Sequence, residues 1–423
     1  MNRRVVVTGL GVIAPNGHGL KEYEKSLREG KSGIRFIPKL EELNFACQVG
    51  GIPQGVEEKL KDYFTEDDLL AMNEAMHYAG IAGIDAWRDA GLEVPSKVGD
   101  TVHWDTGAYI GAGSASMETT KKVIEKVDAG KTRRLGSTMV EQIMMSSVSA
   151  KMSGLLALGN EVTTNSSACT TGTEAIILGV LRIRNGLADK MLCGGTDGSS
   201  PYIWAGFDAM KVLNSSSNDK PEKASRPMSA SAGGFIPGSG CGLLMLESLE
   251  SALKRNARIY AEVIGTALNC GGQRQGGSMT APNPEGVRRC IQLALADAGI
   301  TGNDVDVING HLTATMADPL EIKNWSLALG RGPGKFPLIH STKSLIGHGL
   351  GAAGGMEAVA SVLEVYKGFV HGSLNCEDLH EEIKPFAESI VQKTIEKEIK
   401  ILAKSSFGFG DVNGCVLYRK YEG

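Results

Sequence analysis

Cys169 stands where a catalytic nucleophile could form. It follows a β-branched run that ends at Thr164 and a short polar turn, and it precedes an apolar segment that continues to Val180. A cysteine between the end of a strand and the start of a helix lies at the positive end of the helix dipole, which favours the thiolate. This placement predicts a nucleophile. A buried, unreactive cysteine is the alternative from this stretch alone.

Two histidines lie in small, turn-rich settings that the other six lack. His311 follows a predicted strand that ends at Asn309, and His348 lies in the glycine-rich stretch STKSLIGHGLGAAGGMEA. Open α/β sheets place their sites at the carboxyl ends of strands. Lys343 precedes His348 by five residues, and if buried it could hold a histidine neutral. Two histidines and a cysteine could instead bind a metal ion. No HExxH or paired-cysteine spacing supports that alternative, so we predict no metal site.

Two glycine-rich stretches raise the question of phosphate binding. GLGVIA, residues 9–14, fits the G-x-G-x-x-A dinucleotide fingerprint. However, the turn residues Pro15, Asn16 and Gly17 stand where the phosphate-binding helix should run, so we do not expect a nicotinamide-dependent oxidoreductase. Residues 233–242, GGFIPGSGCG, could also cradle a phosphate, although no Walker lysine follows them.

Phe407 and Phe409 alternate with glycines in SSFGFGDVNG, residues 405–414. Such a segment predicts a mobile apolar loop that gates a pocket or donates a backbone N–H to an oxyanion. A plain β-turn is the alternative.

Strand and helix patterns alternate along the chain. Helices are predicted over 65–91, with Thr65 as N-cap, and over 285–298. Buried strands are predicted at 4–8, 107–113, 190–195, 243–246, 259–264 and 305–309. Alternating units of this kind imply parallel sheets covered by helices. No internal repeat is visible from residue identity.

Composition narrows the class further. The 423 residues are 42% hydrophobic with a net charge of −4 and no basic block, so a nucleic-acid-binding surface is not indicated. The eight cysteines are widely spaced with no CxxC pair, which predicts reduced thiols and a cytoplasmic location. The N-terminal apolar run is broken by glycines and by Pro15, so a buried strand is favoured over a signal peptide. No apolar run approaches membrane-span length.

Taken together, these motifs resemble the β-ketoacyl-acyl-carrier-protein synthases, in particular their elongating Cys-His-His class of decarboxylating condensing enzymes. The similar stretches are RRVVVTGLGVIAPNG (3–17), SSACTTGTEAI (166–176), GHLTAT (310–315), STKSLIGHGLGAAGGMEA (341–358) and SFGFG (406–410). They run over nearly the whole chain in the order typical of that family.

The resemblance implies a thiolase-like α/β fold: two similar halves, each with a five-stranded mixed sheet, stacked in five layers. The halves would span 1–250, with the nucleophile, and 251–423, with both histidines and the gating loop. It also implies a homodimer whose partner helps to build the acyl pocket. Substrates would arrive on the phosphopantetheine arm of an acyl carrier protein, and the enzyme would need no cofactor of its own.

The resemblance further assigns residue roles. Cys169 would accept the acyl group, and neutral His311 and His348 would donate hydrogen bonds to the thioester oxygen of the malonyl unit as it becomes an enolate. The backbone N–H groups of Cys169 and Phe409 would form the oxyanion hole, and the Phe409 ring would be the gate. Lys343 would support His311, with Glu357 behind it. The residues implied to contact substrate are Thr313, Thr315, Ser114, Phe207 and Phe407.

Several positions depart from the family pattern. The acidic run that usually follows Arg-Pro is replaced by MSASAGGFIPGSG after Pro227, Leu312 replaces a glycine, and Asp411 replaces a glycine at the end of the gating loop. These changes bear on loop dynamics, carrier docking and substrate choice. Ser114 stands where family members often carry a larger apolar residue that limits the acyl tunnel. A small serine there predicts a longer or stiffer chain, such as a polyene intermediate.

Two other readings of the same motifs stay open at this point. A non-condensing chain-length-factor-type subunit of a ketosynthase heterodimer usually lacks the cysteine, which Cys169 argues against. A thiolase acting on CoA esters would need a second catalytic cysteine near the C-terminal glycine loop, where Cys415 lies. The sequence does not distinguish fatty acid from specialised polyketide or polyene synthesis.

Overall fold

The fold is that of a computed structural model that describes residues 3–114 and 116–423. The strands in chain order are β1 (Val5–Ala14), β2 (Gly17–His18), β3 (Ile34–Phe36), β4 (Val49–Gly51), β5 (Thr106–Ala112), β6 (Val162–Thr163), β7 (Lys190–Asp197), β8 (Gly240–Ser248), β9 (Ala261–Cys270), β10 (Val307–Asn309), β11 (Leu338–His340), β12 (Phe369–Val370), β13 (Ile395–Glu396), β14 (Ile401–Gly408) and β15 (Val412–Arg419).

The helices in chain order are α1 (Gly19–Glu29), α2 (Pro38–Glu42), α3 (Val56–Tyr63), α4 (Glu66–Leu70), α5 (Glu74–Asp89), α6 (Met117–Asp128), α7 (Met139–Ile143), α8 (Ser147–Leu156), α9 (Thr171–Arg184), α10 (Pro201–Ala209), α11 (Leu249–Lys254), α12 (Pro284–Ala298), α13 (Asp318–Leu329), α14 (Lys343–Ile346) and α15 (Ala353–Lys367). Among the described residues, no helix is long and apolar enough to cross a membrane.

The strands form two five-stranded sets with the same order. The first set runs β6-β5-β7-β8-β1 and the second β11-β10-β14-β15-β9. In each set the first two pairings are parallel and the next two antiparallel. A short antiparallel pairing of β1 with β9 joins the sets into one sheet. An internal repeat is therefore present in the topology although the residue identities do not reveal it.

Helices pack on both faces of each set and build five layers. Helices α9 and α15 lie between the sets and form the central core, with buried residues such as Ile176 and Val359 packed against both. Helices α5 and α8 cover the outer face of the first set. Helices α12 and α13 cover the outer face of the second set. The predicted arrangement of two mixed five-stranded units in five layers is confirmed, with the β1–β9 pairing as a continuous link between the two units.

The GLGVIA stretch lies inside a strand, and this placement gives a structural reason against the dinucleotide fingerprint, which its sequence context already disfavours. Strand β1 continues through Ala14, beyond the predicted end at residue 8. A phosphate-binding turn needs the chain to leave the strand at these glycines, whereas here they stay in the sheet. A side chain at Gly9 or Gly11 would overlap backbone carbonyl oxygens of α5, those of Ala86 and Ala82 respectively. The glycines therefore allow a helix to pack closely on the strand.

Two further predictions are corrected locally. The single helix predicted over 65–91 is split into α4 and α5 by a break before Asn73, which caps α5. Thr65 is the predicted N-cap, and it forms a capping box with Asp68. The 233–242 stretch does not form a phosphate cradle. Its last residues begin β8, and its middle hydrogen bonds to the backbone of His348: Ile236 O accepts the histidine N–H at 2.7 Å, and Gly238 N–H donates to His348 O at 2.9 Å.

Candidate active site

Cys169 lies in a tight turn between β6 and α9. The turn is one 3-10 segment, Ala168–Thr170, and Ala168 adopts a left-handed conformation with φ of 50°. Such a conformation is strained for a residue with a Cβ and is typical of functional turns. Ser167 N–H donates to Thr171 Oγ1 at 2.8 Å, and Thr170 Oγ1 donates to Val412 O at 2.9 Å. The nucleophile turn is thus fixed both to its own helix and to the opposite half of the molecule.

The structure brings the cysteine and both predicted histidines together. Cys169 Sγ and one ring nitrogen from each of His311 and His348 all lie within 4.8 Å of one another. The two imidazole rings are 5.4 Å apart and nearly perpendicular. His311 follows the carboxyl end of β10, and His348 follows the short helix α14. Residues from two halves, separated by more than 140 positions in the sequence, therefore share one site.

Hydrogen bonds at Nδ1 set the tautomer of each imidazole. Leu350 N–H donates to His348 Nδ1 at 3.2 Å, so in the neutral ring the proton is on Nε2. Lys343 Nζ lies 3.4 Å from His311 Nδ1, and an ammonium group can only donate. Both neutral rings therefore carry their proton on Nε2. Among residues 3–114 and 116–423 this atom has no hydrogen-bond partner in either ring, so it can donate to a substrate oxygen.

A buried group of ions lies behind His311. Lys343 Nζ contacts Glu357 Oε1, and Lys404 Nζ lies 2.6 Å from Glu357 Oε2. All three side chains are almost completely buried. Glu357 lies on α15, Lys343 on α14 and Lys404 on β14, so three elements meet at one carboxylate.

Burial keeps both histidines neutral. The pKa of His311 lies well below its ordinary value because burial disfavours the charged ring, with Lys343, His348 and Lys404 adding positive charge. The pKa of His348 is lowered by the same burial and by both lysines. Neutral donors are what the predicted enolate-stabilising role requires.

The pKa of Cys169 differs from the expectation for a cysteine at a helix start. Burial raises it to about 11, although Lys343 and a backbone hydrogen bond from Phe409 oppose this shift. The desolvation of a thiolate in this site outweighs the favourable effects of Lys343 and of the Phe409 hydrogen bond. The resting side chain at neutral pH is a thiol, and the expectation of a resting thiolate is corrected.

Two acidic side chains hold the loop that carries His311. Glu321 accepts the N–H groups of His311 and Leu312, each at 2.7 Å. Asp318 accepts the N–H of Thr313 at 2.8 Å and that of Met228 at 2.8 Å, so it joins this loop to the altered stretch after Pro227. The Leu312 side chain is fully buried in the core beneath the loop.

The predicted gate lies in a tight turn between β14 and β15. Phe407 belongs to β14, with its ring 6.2 Å from that of His311. Phe409 is in the turn, with its ring 6.1 Å from that of Phe207. Phe207 in turn lies edge-on to Phe235, which stacks edge-on against His348. Phe409 is thus linked through the rings of Phe207 and Phe235 to the ring of His348.

Asp411 fastens the gating turn to the 271–283 segment. It is fully buried with φ of 64°. Its carboxylate accepts the N–H groups of Gln273 at 2.9 Å and Asn283 at 2.8 Å. The aspartate that replaces a glycine here therefore ties down a neighbouring loop. The gating turn itself joins the antiparallel strands β14 and β15, and its gating role stays a prediction.

The remaining predicted substrate contacts stay predictions. Thr313 Oγ1 and Thr315 Oγ1 are 2.9 Å apart, in the loop that follows His311. Ser114 follows β5, and its N–H donates to Asp197 Oδ1 at 3.2 Å. Asp197 also accepts the N–H of Gly351 at 2.6 Å. This buried carboxylate, whose pKa burial raises to about 7, links the Ser114 segment to the segment that follows His348.

The Cys-His-His arrangement offers ligand types that can also bind a metal ion. The three ligand atoms are close enough to share an ion. However, the ammonium groups of Lys343 and Lys404 lie behind the histidines, and they would repel a cation. The donor set therefore fits neutral hydrogen-bond donors beside a thiol better than it fits metal coordination.

Sequence reasoning missed four residues that shape this site. Leu350, Asp197, Glu321 and Lys404 act through backbone donors, carboxylates or burial that only the folded chain reveals. The one available signal was Lys404, a charged residue inside an otherwise apolar strand next to SSFGFG.

Comparison with known families agrees with this geometry. The beta-ketoacyl synthase N-terminal domain matches residues 2–252, and the beta-ketoacyl synthase C-terminal domain matches residues 260–377. The chain belongs to the β-ketoacyl synthase family. It is similar to 3-oxoacyl-[acyl-carrier-protein] synthase 2 of Vibrio cholerae, with 33% identity over 99% of both chains.

Solved ketosynthase structures have the same fold. The ishigamide ketosynthase/chain length factor covers 100% of both chains at 30% identity with a TM-score of 0.87. AntDE:AntF, a type II polyketide synthase acyl carrier protein in complex with its ketosynthase, covers 100% of both chains at 28% identity with a TM-score of 0.87. The fold of this β-ketoacyl synthase is therefore the thiolase-like fold that its motifs predicted.

Proposed function

We propose that this chain is a 3-oxoacyl-[acyl-carrier-protein] synthase that elongates an acyl chain by decarboxylative Claisen condensation. The observation that carries the proposal is the meeting of Cys169 Sγ with two neutral imidazoles whose Nε2–H groups are free. A chain-length-factor-type subunit without condensing activity would have no use for this complete set, so we do not favour that alternative.

The first half-reaction transfers the acyl group to the enzyme. Cys169 Sγ attacks the carbonyl carbon of the acyl-carrier thioester, and the thiol loses its proton as the new S–C bond forms. The carrier's thioester bond then breaks, and the released pantetheine sulfur takes up a proton. The N–H groups of Cys169 and Phe409 would hold the negative oxygen in between. Because the thiol pKa is about 11, the proton leaves during the attack and not before it.

The second half-reaction forms the carbon–carbon bond. The bond between the malonyl carboxylate and the α-carbon breaks, carbon dioxide leaves, and the electron pair stays as an enolate. The Nε2–H groups of His311 and His348 would stabilise its oxygen, which requires no strong base. The α-carbon attacks the acyl-Cys169 carbonyl, and the S–C bond breaks to release the cysteine sulfur, which regains a proton. The packed Phe409–Phe207 gate would limit hydrolysis of the acyl enzyme by water.

The partners follow from the same proposal. Acyl carrier protein would deliver both substrates on phosphopantetheine, and the AntDE:AntF complex is a related ketosynthase bound to such a carrier. We propose a homodimer, with a ketosynthase heterodimer as the alternative, and no further cofactor. The eight cysteines are free thiols, which fits the predicted cytoplasmic location.

The test follows each half-reaction by mass spectrometry. Incubation with acyl carrier protein should add one acyl group to the wild type and to the control Cys270→Ala, but none to Cys169→Ala. Addition of malonyl carrier should then yield a β-ketoacyl product. His348→Ala should keep the adduct and lose at least about a hundredfold in product formation, because the enolate loses a donor. Absence of any adduct on the wild type would refute the proposal.

Ser114 provides a separate test of substrate choice. Ser114→Phe should shift the preferred product toward shorter chains, because a large ring would fill the space that a serine leaves. Product lengths in an elongation assay report this directly, with Ser114→Ala, which keeps the side chain small, as the control. Unchanged chain lengths would show that residue 114 does not limit the acyl tunnel.

A further inference from the structure

A second buried lysine reaches the carboxylate that lies behind His311. Lys404 Nζ is 2.6 Å from Glu357 Oε2, while Lys343 holds the other oxygen of the same carboxylate. The Lys404 side chain is only 1% exposed. One buried carboxylate thus lies between two lysine side chains. Burial lowers the pKa of Lys404, and the neighbouring Glu357 opposes that shift.

Lys404 also reaches the helix that begins after Cys169. Its Nζ donates to Ser406 Oγ at 2.8 Å, and Ser406 Oγ lies 2.9 Å from Thr173 Oγ1. Thr173 lies in the first turn of α9, four residues after Cys169. An ion pair therefore joins Glu357 to Lys404, and hydrogen bonds continue from Lys404 through Ser406 to Thr173 at the start of that helix.

Burying a charge beyond what its partner neutralises is costly, and an apolar side chain of similar length would fill the same space. The fold gains no surface contact from Lys404, because the strand on which it lies is buried on both faces. Lys404 donates to the carbonyl oxygen of its neighbour Ser405. Its other two contacts are Glu357, which lies behind His311, and Ser406, which leads to the helix after Cys169. These contacts with Glu357 and Ser406 are explained if Lys404 holds the group behind His311 and the helix after Cys169 in a fixed position relative to each other.

We propose that Lys404 is a positioning residue for the condensation step, which fixes the Glu357 carboxylate against Lys343 and ties it to the start of α9. This inference rests on the proposed function, since it gives Lys404 a part in the reaction of that same site. Lys404 acts through Glu357 and Lys343 on the orientation of His311, and through Thr173 on the nucleophile turn.

The extra positive charge has an electrostatic consequence. Lys404 contributes, after burial and Lys343, to holding the pKa of His311 and His348 low. The charged and titratable groups that face Lys404 from the surrounding elements are Glu357, Lys343, Glu321, Cys415, His311 and His348. Removal of the Lys404 charge would let both imidazoles take up a proton more readily. The acid limb of the pH–rate profile for condensation would then move to higher pH.

The experiment compares Lys404→Met, Lys404→Gln and Lys404→Arg with wild type, using Lys400→Met as the matched control. Lys400 is an exposed lysine four residues earlier, so the control changes the net charge equally. For Lys404→Met and Lys404→Gln we expect kcat for condensation to fall by about tenfold or more, with KM for malonyl carrier changed by less than about twofold. The acid limb should move to higher pH in both. Lys404→Arg should keep the wild-type acid limb, because it keeps the charge.

The inference is overturned if the wild type is active and both Lys404→Met and Lys404→Gln have the same kcat and the same acid limb as Lys400→Met. That result would leave the proposed function intact. A wild type without an acyl adduct would instead refute the proposed function. If Lys404→Met does not fold, the comparison of kcat and acid limb between Lys404→Gln and Lys404→Arg tests the inference. A lower kcat with the same acid limb in both would reduce Lys404 to a structural role and so refute the inference.

Discussion

At the scale of single residues, burial decides the chemistry of the nucleophile. The turn before α9 aligns Cys169 with the helix dipole, yet the pKa of its thiol is raised to about 11 because the surroundings desolvate the thiolate. The same burial keeps His311 and His348 uncharged. A neutral thiol beside two neutral imidazoles therefore waits for substrate, and no group in this trio is charged at rest near pH 7.

This charge state predicts how Cys169 reacts with an alkylating reagent. Below its pKa the thiolate fraction rises about tenfold per pH unit, so iodoacetamide should modify Cys169 slowly at pH 7 and steadily faster up to about pH 10. Peptide mass spectrometry measures the rate at each pH, and the exposed Cys270 of the same chain reports reagent access. Fast modification at pH 7, with a rate that no longer increases above pH 8, would instead show that Cys169 is a thiolate at neutral pH.

At the scale of elements, close packing explains glycines that resemble a ligand-binding motif. Helix α5 lies so near β1 that its backbone carbonyls occupy the space of any side chain at Gly9 or Gly11. The glycine spacing of two in GLGVIA is that of residues on one face of a strand. A nucleotide fingerprint with the same spacing would need a turn after the strand, which the pairing of Gly11 with Leu243 excludes.

The packing predicts that Gly11→Ala is strongly destabilising. The new methyl group would overlap backbone atoms of Ala82, which cannot move without shifting α5, so the free energy of unfolding should fall by at least about 3 kcal/mol. The control is Gly154→Ala on α8, where nothing lies within 4 Å of the new methyl group. It should change stability by no more than about 1 kcal/mol, toward greater stability. Urea unfolding measures both, and equal effects would disprove the close-packing explanation.

At the scale of the whole molecule, buried titratable groups away from the active site make stability depend on pH. His340 Nε2 lies 3.1 Å from Glu364 Oε2, and His371 N–H donates to Glu364 Oε1 at 2.8 Å. Burial raises the pKa of Glu364 to about 7 and lowers that of His340 to about 3 and that of His371 to about 4. Because the two histidines stay neutral in the folded protein, the unfolded chain takes up protons more readily below about pH 6.5. Stability from this source is therefore complete above that pH and is lost as the pH falls. The contribution of Glu364 has the opposite sign and weakens as the pH rises from about 4.5 to 7.

Glu364→Gln should therefore gain stability relative to wild type as the pH rises. A neutral amide avoids the cost of a buried carboxylate, so the difference in free energy of unfolding between variant and wild type should grow in the variant's favour by about 2 kcal/mol between pH 4.5 and pH 8. Urea unfolding across this range measures it. Glu382→Gln, at an exposed glutamate, is the control for the charge change. A difference that does not vary with pH would mean that folding does not change the pKa of Glu364.

The sequence by itself determined the groups that carry the chemistry and the order in which they occur. Cys169, His311 and His348 stand out because strand ends, turns and glycines are local signals that need no knowledge of the fold. The alternation of strands and helices likewise predicted an α/β fold. Element boundaries were less well predicted, as in the division of residues 65–91 into α4 and α5, because a break of three residues depends on packing against neighbours.

Only the tertiary structure decided how those groups are held and charged. The partners of His311 and His348 come from Lys343, Glu321 and Leu350, and the carboxylate at their back also binds Lys404 from a distant strand. The physical reason is that burial and hydrogen-bond geometry are properties of residues brought together across the chain, and they set each pKa and tautomer. The same reason explains the GLGVIA stretch, whose glycines are required by a helix more than 60 residues away.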